Sequence, residues 1–174
     1  MSYDAVAESA RLLEGFPPSD VARLSRRVRF VPLAVDRDGD VAATLFLRRG
    51  VSGVPLLDTH VLERTAGSWR LLGGGGPGDH TSACRPGLVE IGVAQCAGGV
   101  ARSGTSLLPW RRRDSWISFA EVRAAREIAA LRVGSRLLPV AAHGCAIVVW
   151  TGRPPRITAL DAGGTVVGKV AVAP

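Results

Sequence analysis

Apolar residues recur with a period of two over most of this chain and with a helical period only at its start. Asp4 to Glu14 places Val6, Ala10 and Leu13 on one helical face, with Gly15 and Pro17-Pro18 behind it as a stop. Ser19 and Asp20 then have the chemistry of an N-cap and a first turn, and Val21 and Leu24 predict a second helix ending near Arg26. From Arg27 the period becomes two. Arg27–Val35 and Val41–Arg48 alternate about an Asp36-Arg37-Asp38-Gly39-Asp40 turn, Val54–Thr65 follows as a third strand, and Trp69 opens a fourth after Ala66-Gly67-Ser68. Gly73–Gly76, with Pro77 and Gly78 close behind, breaks the pattern, and the expectation there is a loop or linker that no strand crosses.

Short strand patterns resume at Leu88–Gln95, Gly99–Arg102 and Trp116–Arg123, and again at Arg156–Leu160 and Thr165–Val172. Between them, Arg126–Trp150 reads as three strands. Ala129, Leu131 and Val133 share a face, Gly134-Ser135 makes a two-residue turn, and Leu138, Val140 and Ala142 form a second face. After a reversal at His143-Gly144, Cys145–Trp150 is an unbroken apolar run suited to a strand buried on both sides. Pro139 has no N–H to give a ladder, which predicts an open edge or a bulge at the middle strand.

These elements define a mainly β chain with N-terminal helices (α+β): an antiparallel meander followed by a β-sandwich-like, immunoglobulin-like half. The expected organisation is 1–76 for helices and meander, 77–86 for a Gly/Pro-rich linker or loop, and 87–174 for a basic half that can share one core with the first. The last hairpin, Ile157–Val172, resembles the ends of bacterial immunoglobulin-like modules. The helix-then-meander with Gly67-Ser68-Trp69-Arg70 resembles NTF2-like domains, and that resemblance implies a ligand pocket behind a bent sheet in the first half.

With 174 residues and 47% hydrophobic content the chain can build a sizeable core, which sets disorder aside. No apolar run is long enough for a membrane helix, and acids stand near the N-terminus where a signal peptide needs basic residues, so the expected location is the cytoplasm. Cys84, Cys96 and Cys145 are an odd number, which points to free thiols. The net charge is +7, and residues 77–174 hold almost all of the excess, with twelve basic and six acidic side chains. Such a field attracts acidic proteins, nucleic acid or anionic lipid.

The densest candidate site is Trp110-Arg111-Arg112-Arg113-Asp114-Ser115-Trp116, where guanidinium groups flanked by indoles suit a protein hot spot or phosphates and stacked bases. A solvated loop leading into a core strand explains the same letters. Asp58 and His60, two apart on one strand, share a face on which a carboxylate can orient an imidazole, but the sequence shows no nucleophile beside them. Asp36, Asp38 and Asp40 lack the spacing of an EF-hand and read as turn residues. His80, Cys84, Cys96, His143 and Cys145 have no paired metal-ligand spacing, so His143 reads as a turn residue and Cys145 as a small buried hydrophobe. Neither a metal nor a cofactor is expected. The leading expectation is a non-enzymatic cytoplasmic binding protein that meets a protein partner through Trp110, Arg111, Arg112, Arg113, Trp116 and a sheet edge. The alternatives are an NTF2-like small-molecule site or enzyme using Asp58 and His60, and non-specific nucleic-acid binding by the basic half.

Overall fold

A computed structural model describes residues 3–79, 85, 87–88, 100–108 and 115–171. The described chain is mainly β, with antiparallel sheets and one short helix. Helix α1 spans Ala5–Leu13 and is capped by Asp4, whose carboxylate accepts from the backbone N–H groups of Val6 and Ala7. The face it buries is not the one its apolar spacing predicts: Ser9 and Leu12 are buried while Val6 is exposed. The second helix is absent. Over Ser19–Arg26 the serine hydroxyls take the backbone donors a helix would use, Ser19 Oγ accepting from Val21 N–H and Ser25 Oγ from Arg27 and Val28. Ser19 N–H donates instead to Pro32 O, and Ala22 and Leu24 pack on the sheet beneath.

Sheet I is the expected meander, in the order β1 (Phe30–Asp38), β2 (Val41–Arg49), β3 (Pro55–Thr65) and β4 (Ser68–Asp79). Its first turn is Gly39-Asp40, with Gly39 at φ +61°, as the Asp/Gly-rich stretch predicts. The glycine run does not break the sheet, contrary to expectation: β4 runs through Gly73–Gly76 and on to Asp79. Close packing accounts for it, because a Cβ on Gly74 would lie 2.6 Å from Thr59 O and 3.2 Å from His60 Cδ2. Of the expected linker 77–86, residues 77–79 therefore belong to β4, and the remainder other than Arg85 lies outside the described residues. Arg85 donates to the carbonyls of Ala124 (2.7 Å), Ile128 (2.5 Å) and Ala141 (3.4 Å), tying it to the second half.

Sheet II is β5 (Val100–Leu108), β6 (Ser115–Arg123) and β9 (Cys145–Thr151). Sheet III has the order β8 (Arg136–Pro139), β7 (Ala130–Val133), β10 (Ile157–Leu160) and β11 (Val166–Val170). Gly134-Ser135 is a two-residue turn, with Val133 paired to Arg136, and Pro139 sits on an edge strand as its missing N–H requires. The strand pattern at Leu88–Gln95 lies outside the described residues except for Leu88.

Sheet II is the middle layer. Cys145, Ile147 and Val149 of β9 join Ile117 and Phe119 of β6 against Val31, Leu33, Leu45, Leu47 and Val61 of sheet I. The alternate residues Ala146, Val148 and Trp150 join Leu131, Val133, Ile157 and Ala159 of sheet III. The apolar run Cys145–Trp150 is thus buried on both faces, each large side chain contributing about 1.5–3 kcal/mol of transfer free energy. One core cluster draws on residues 31–61 and residues 117–149 together.

At Val149 the outer edge of β9 is closed by side chains. Asp36, at the end of β1, accepts from Val149 N–H at 2.8 Å, and Arg136 of β8 donates to Val149 O at 2.9 Å. Arg136 also donates to Asp36 at 2.9 Å and to Arg37 O at 2.7 Å. A guanidinium and a carboxylate complete the backbone pairing that a neighbouring strand would otherwise supply.

Candidate functional site

Asp58 and His60 share the face of β3 that lies under α1, opposite Phe46 and Thr44 of β2. Helix α1 brings a third group to them. Ser9 Oγ lies 3.3 Å from His60 Nδ1 and 2.8 Å from Thr44 Oγ1, while His60 Nε2 lies 3.6 Å from Asp58 Oδ2. Arg48 Nε donates to the same Asp58 oxygen at 2.6 Å, and Tyr3 OH stands 3.4 Å from His60 Nε2. The result is a Ser–His–Asp chain assembled from a helix and a strand 51 residues apart. Ser9 supplies the hydroxyl that reading the strand alone does not reveal. Its signal in the sequence is positional and weak: it stands three residues before Leu12, the apolar residue whose burial it shares.

The surroundings decide what this chain can do. Ser9 is wholly buried, His60 is 4% exposed, and the rings of Tyr3 and Phe46 lie 5.9 and 5.5 Å from the imidazole. A nucleophile needs an approach path for a carbonyl carbon and donors for the oxyanion. Here the hydroxyl is wholly buried and in contact with Thr44 and His60. Burial raises the Tyr3 phenol, with Asp58 adding to the shift, so the hydroxyl stays neutral. Burial would also raise the Asp58 carboxyl, but hydrogen bonds from His60 and Arg48 outweigh it and hold the carboxyl below its usual range. A charged carboxylate, an imidazole and two hydroxyls therefore fasten α1 to sheet I.

The other candidates divide. Trp110, Arg111, Arg112 and Arg113 lie outside the described residues, as do His80, Cys84 and Cys96. Trp116 belongs to β6, in register with Leu107 of β5. His143 is committed at both nitrogens: Nδ1 accepts from Cys145 N–H and Nε2–H donates to Ser19 O, and burial lowers its pKa. Cys145 is buried, its thiol pushed up by that burial and contacted by Arg123 at 3.0 Å. Asp36 faces inward whereas Asp38 and Asp40 are exposed, so the three acids do not converge. Among the described residues no group of His, Cys, Asp or Glu is placed to hold a metal ion.

Hollows are formed elsewhere among the described residues, two of which bear on function. An apolar cleft of about 390 Å³ lies where β1, β8 and β9 meet the segment Pro17–Asp20, with Leu33, Leu138, Val140 and Ile147 in its walls. The second, of about 360 Å³, is on sheet III and is lined by Arg132, Gly134, Arg156, Thr158, Val166 and Lys169. Thr158 of β10 is in register with Arg132 of β7 on one side and Lys169 of β11 on the other. Their neighbours Leu131, Val133, Ile157, Ala159 and Val170 are buried in the core, so the three polar side chains rise together from the outer face.

No family model, curated protein or solved structure matches this chain. Among the described residues no helix is long and apolar enough to cross a membrane.

Proposed function

We propose that this is a non-enzymatic, cytoplasmic binding protein whose basic second half holds an acidic protein partner. The observation that carries the reading is the cationic outer face of sheet III: Arg132, Arg156 and Lys169 gather in one hollow with no carboxylate in its lining. Charges left unpaired in water cost little by themselves, and a complementary surface gains from them in association rate and selectivity. The closed Ser–His–Asp chain supports the same reading, because its hydroxyl is committed to anchoring α1. On this proposal the second half is an immunoglobulin-like sandwich that serves as a rigid scaffold. The residues Trp110, Arg111, Arg112, Arg113 and Trp116 supply aromatic and cationic anchors, and the edge strand β8 offers a place for strand addition.

The test uses the full chain with a labelled poly-glutamate peptide and a single-stranded DNA of matched length. The peptide is expected to bind, and the combined Arg111→Ala, Arg112→Ala and Arg113→Ala variant to weaken it several-fold with an unchanged thermal midpoint. Unchanged binding would remove the loop from the contact surface. Preference for DNA, with affinity falling steeply as salt rises, would favour the second reading, non-specific nucleic-acid binding, which the charge excess of residues 77–174 supports.

A further inference from the structure

The hollow on sheet III has more chemical definition than a basic surface requires. Resting on the reading of the second half as the binding half, we infer that it is a phosphate-binding pocket, with the phosphate seated over the Thr158 hydroxyl between Arg132 and Lys169. Adjacent strands lie about 4.8 Å apart, so Arg132 and Lys169, one strand to either side of Thr158, have backbones roughly 10 Å apart. Both side chains line the hollow with Thr158, and across that span they are long enough to close on a ligand above the hydroxyl. Arg156, just before β10, adds a third cation, and its carbonyl accepts from Gly134 N–H in the β7–β8 turn, which fixes it at the rim.

The donor set fits a phosphate better than a carboxylate. A guanidinium offers two parallel N–H bonds, the hydroxyl and ammonium offer single ones, and three positive charges match a dianion rather than a monoanion. Among the described residues none of the three cations has an acidic partner, so like charges stand together and an anion relieves the repulsion. The volume of about 360 Å³ lies in the range of small-ligand sites, larger than a bare ion needs. Val166, 55% exposed, gives the pocket one apolar wall for an organic group. The ligand class is therefore a phosphate oxyanion, free or carried on a small phosphomonoester.

Titration calorimetry on the full chain with inorganic phosphate, O-phosphoserine and glutamate tests this. Saturable binding of the two phosphates, with glutamate much weaker, is expected. The Arg132→Ala, Lys169→Ala double variant should lose about a hundredfold or more, since two charge-assisted donors are removed together. Binding of phosphoserine should weaken below about pH 6, where the phosphate takes its second proton. Tighter phosphoserine identifies an ester as the ligand, and equal affinities identify the free ion. No saturable phosphate binding, or binding that the double variant leaves intact while its circular dichroism matches wild type, overturns the inference. If poly-glutamate still binds in that case, the pocket alone is wrong. If it does not, the reading of the second half falls as well.

Discussion

Glu63 is a carboxylate with no exposed surface, one oxygen of which accepts from Arg70 Nε at 2.8 Å while the other, Oε2, has no hydrogen-bond partner among the described residues. Alternation places it on the β3 face of Leu57, Thr59 and Val61, but alternation cannot say that this end of the face is covered. Burying a charge is costly, and its partner's attraction repays this only when every lone pair is used. Removing Arg70 and removing Glu63 are therefore unequal. Arg70→Ala strands a buried charge and is expected to lower stability by about 3 kcal/mol, whereas Glu63→Met is expected to be neutral or stabilising. Urea denaturation of the two variants checks this, and equal losses would contradict it.

Most of the β elements were legible in the alternation and the turn letters. Gly134-Ser135, Pro139 on an edge and the two-faced Cys145–Thr151 follow from chemistry local to each strand. The misses arose where tertiary contacts outweigh local propensity. Serine hydroxyls and the Pro32 carbonyl claim the donors of Ser19–Arg26, and the close approach of β4 to Thr59 and His60 turns a glycine run from a breaker into a requirement. The candidate site was half legible: Asp58 and His60 share a face as predicted, but Ser9 reaches them only by helix docking. A helix of nine residues is marginal alone, so its anchorage decides its order. Ser9→Ala leaves Thr44 and His60 short of a buried partner, at a cost of about 1–3 kcal/mol. The expected outcome is faster hydrogen exchange confined to α1, with the sheets unchanged. Exchange that accelerates uniformly, or nowhere, would show that Leu12 packing holds the helix instead.

At the scale of the whole molecule, Asp36 and Arg136 join strands from the two halves around the backbone of one residue, Val149, beside a core that both halves build. Wild type is accordingly expected to unfold in one transition, and Arg136→Ala to lower its unfolding free energy by about 3–5 kcal/mol. The loss should depend on pH. Burial raises the Asp36 carboxyl despite its hydrogen bonds, so its ionisation opposes folding as pH rises above the unfolded value of about 3.9. Without Arg136 the folded value rises further. The deficit is then smallest below the unfolded value, where Asp36 is protonated in both proteins, and widens toward neutrality; denaturation at about pH 3 and pH 7 measures it, and a deficit independent of pH would count against the pair. The same closure has a consequence for self-assembly. Cys145–Trp150 is the longest apolar strand segment in the second half, rich in β-branched residues and without charge or proline, the kind of sequence that templates fibres when its edge is open. With Asp36 and Arg136 occupying the N–H and C=O of Val149, a second molecule cannot pair with the strand at that residue, so the clasp that joins the halves of one chain also interrupts the row that a separate chain would extend.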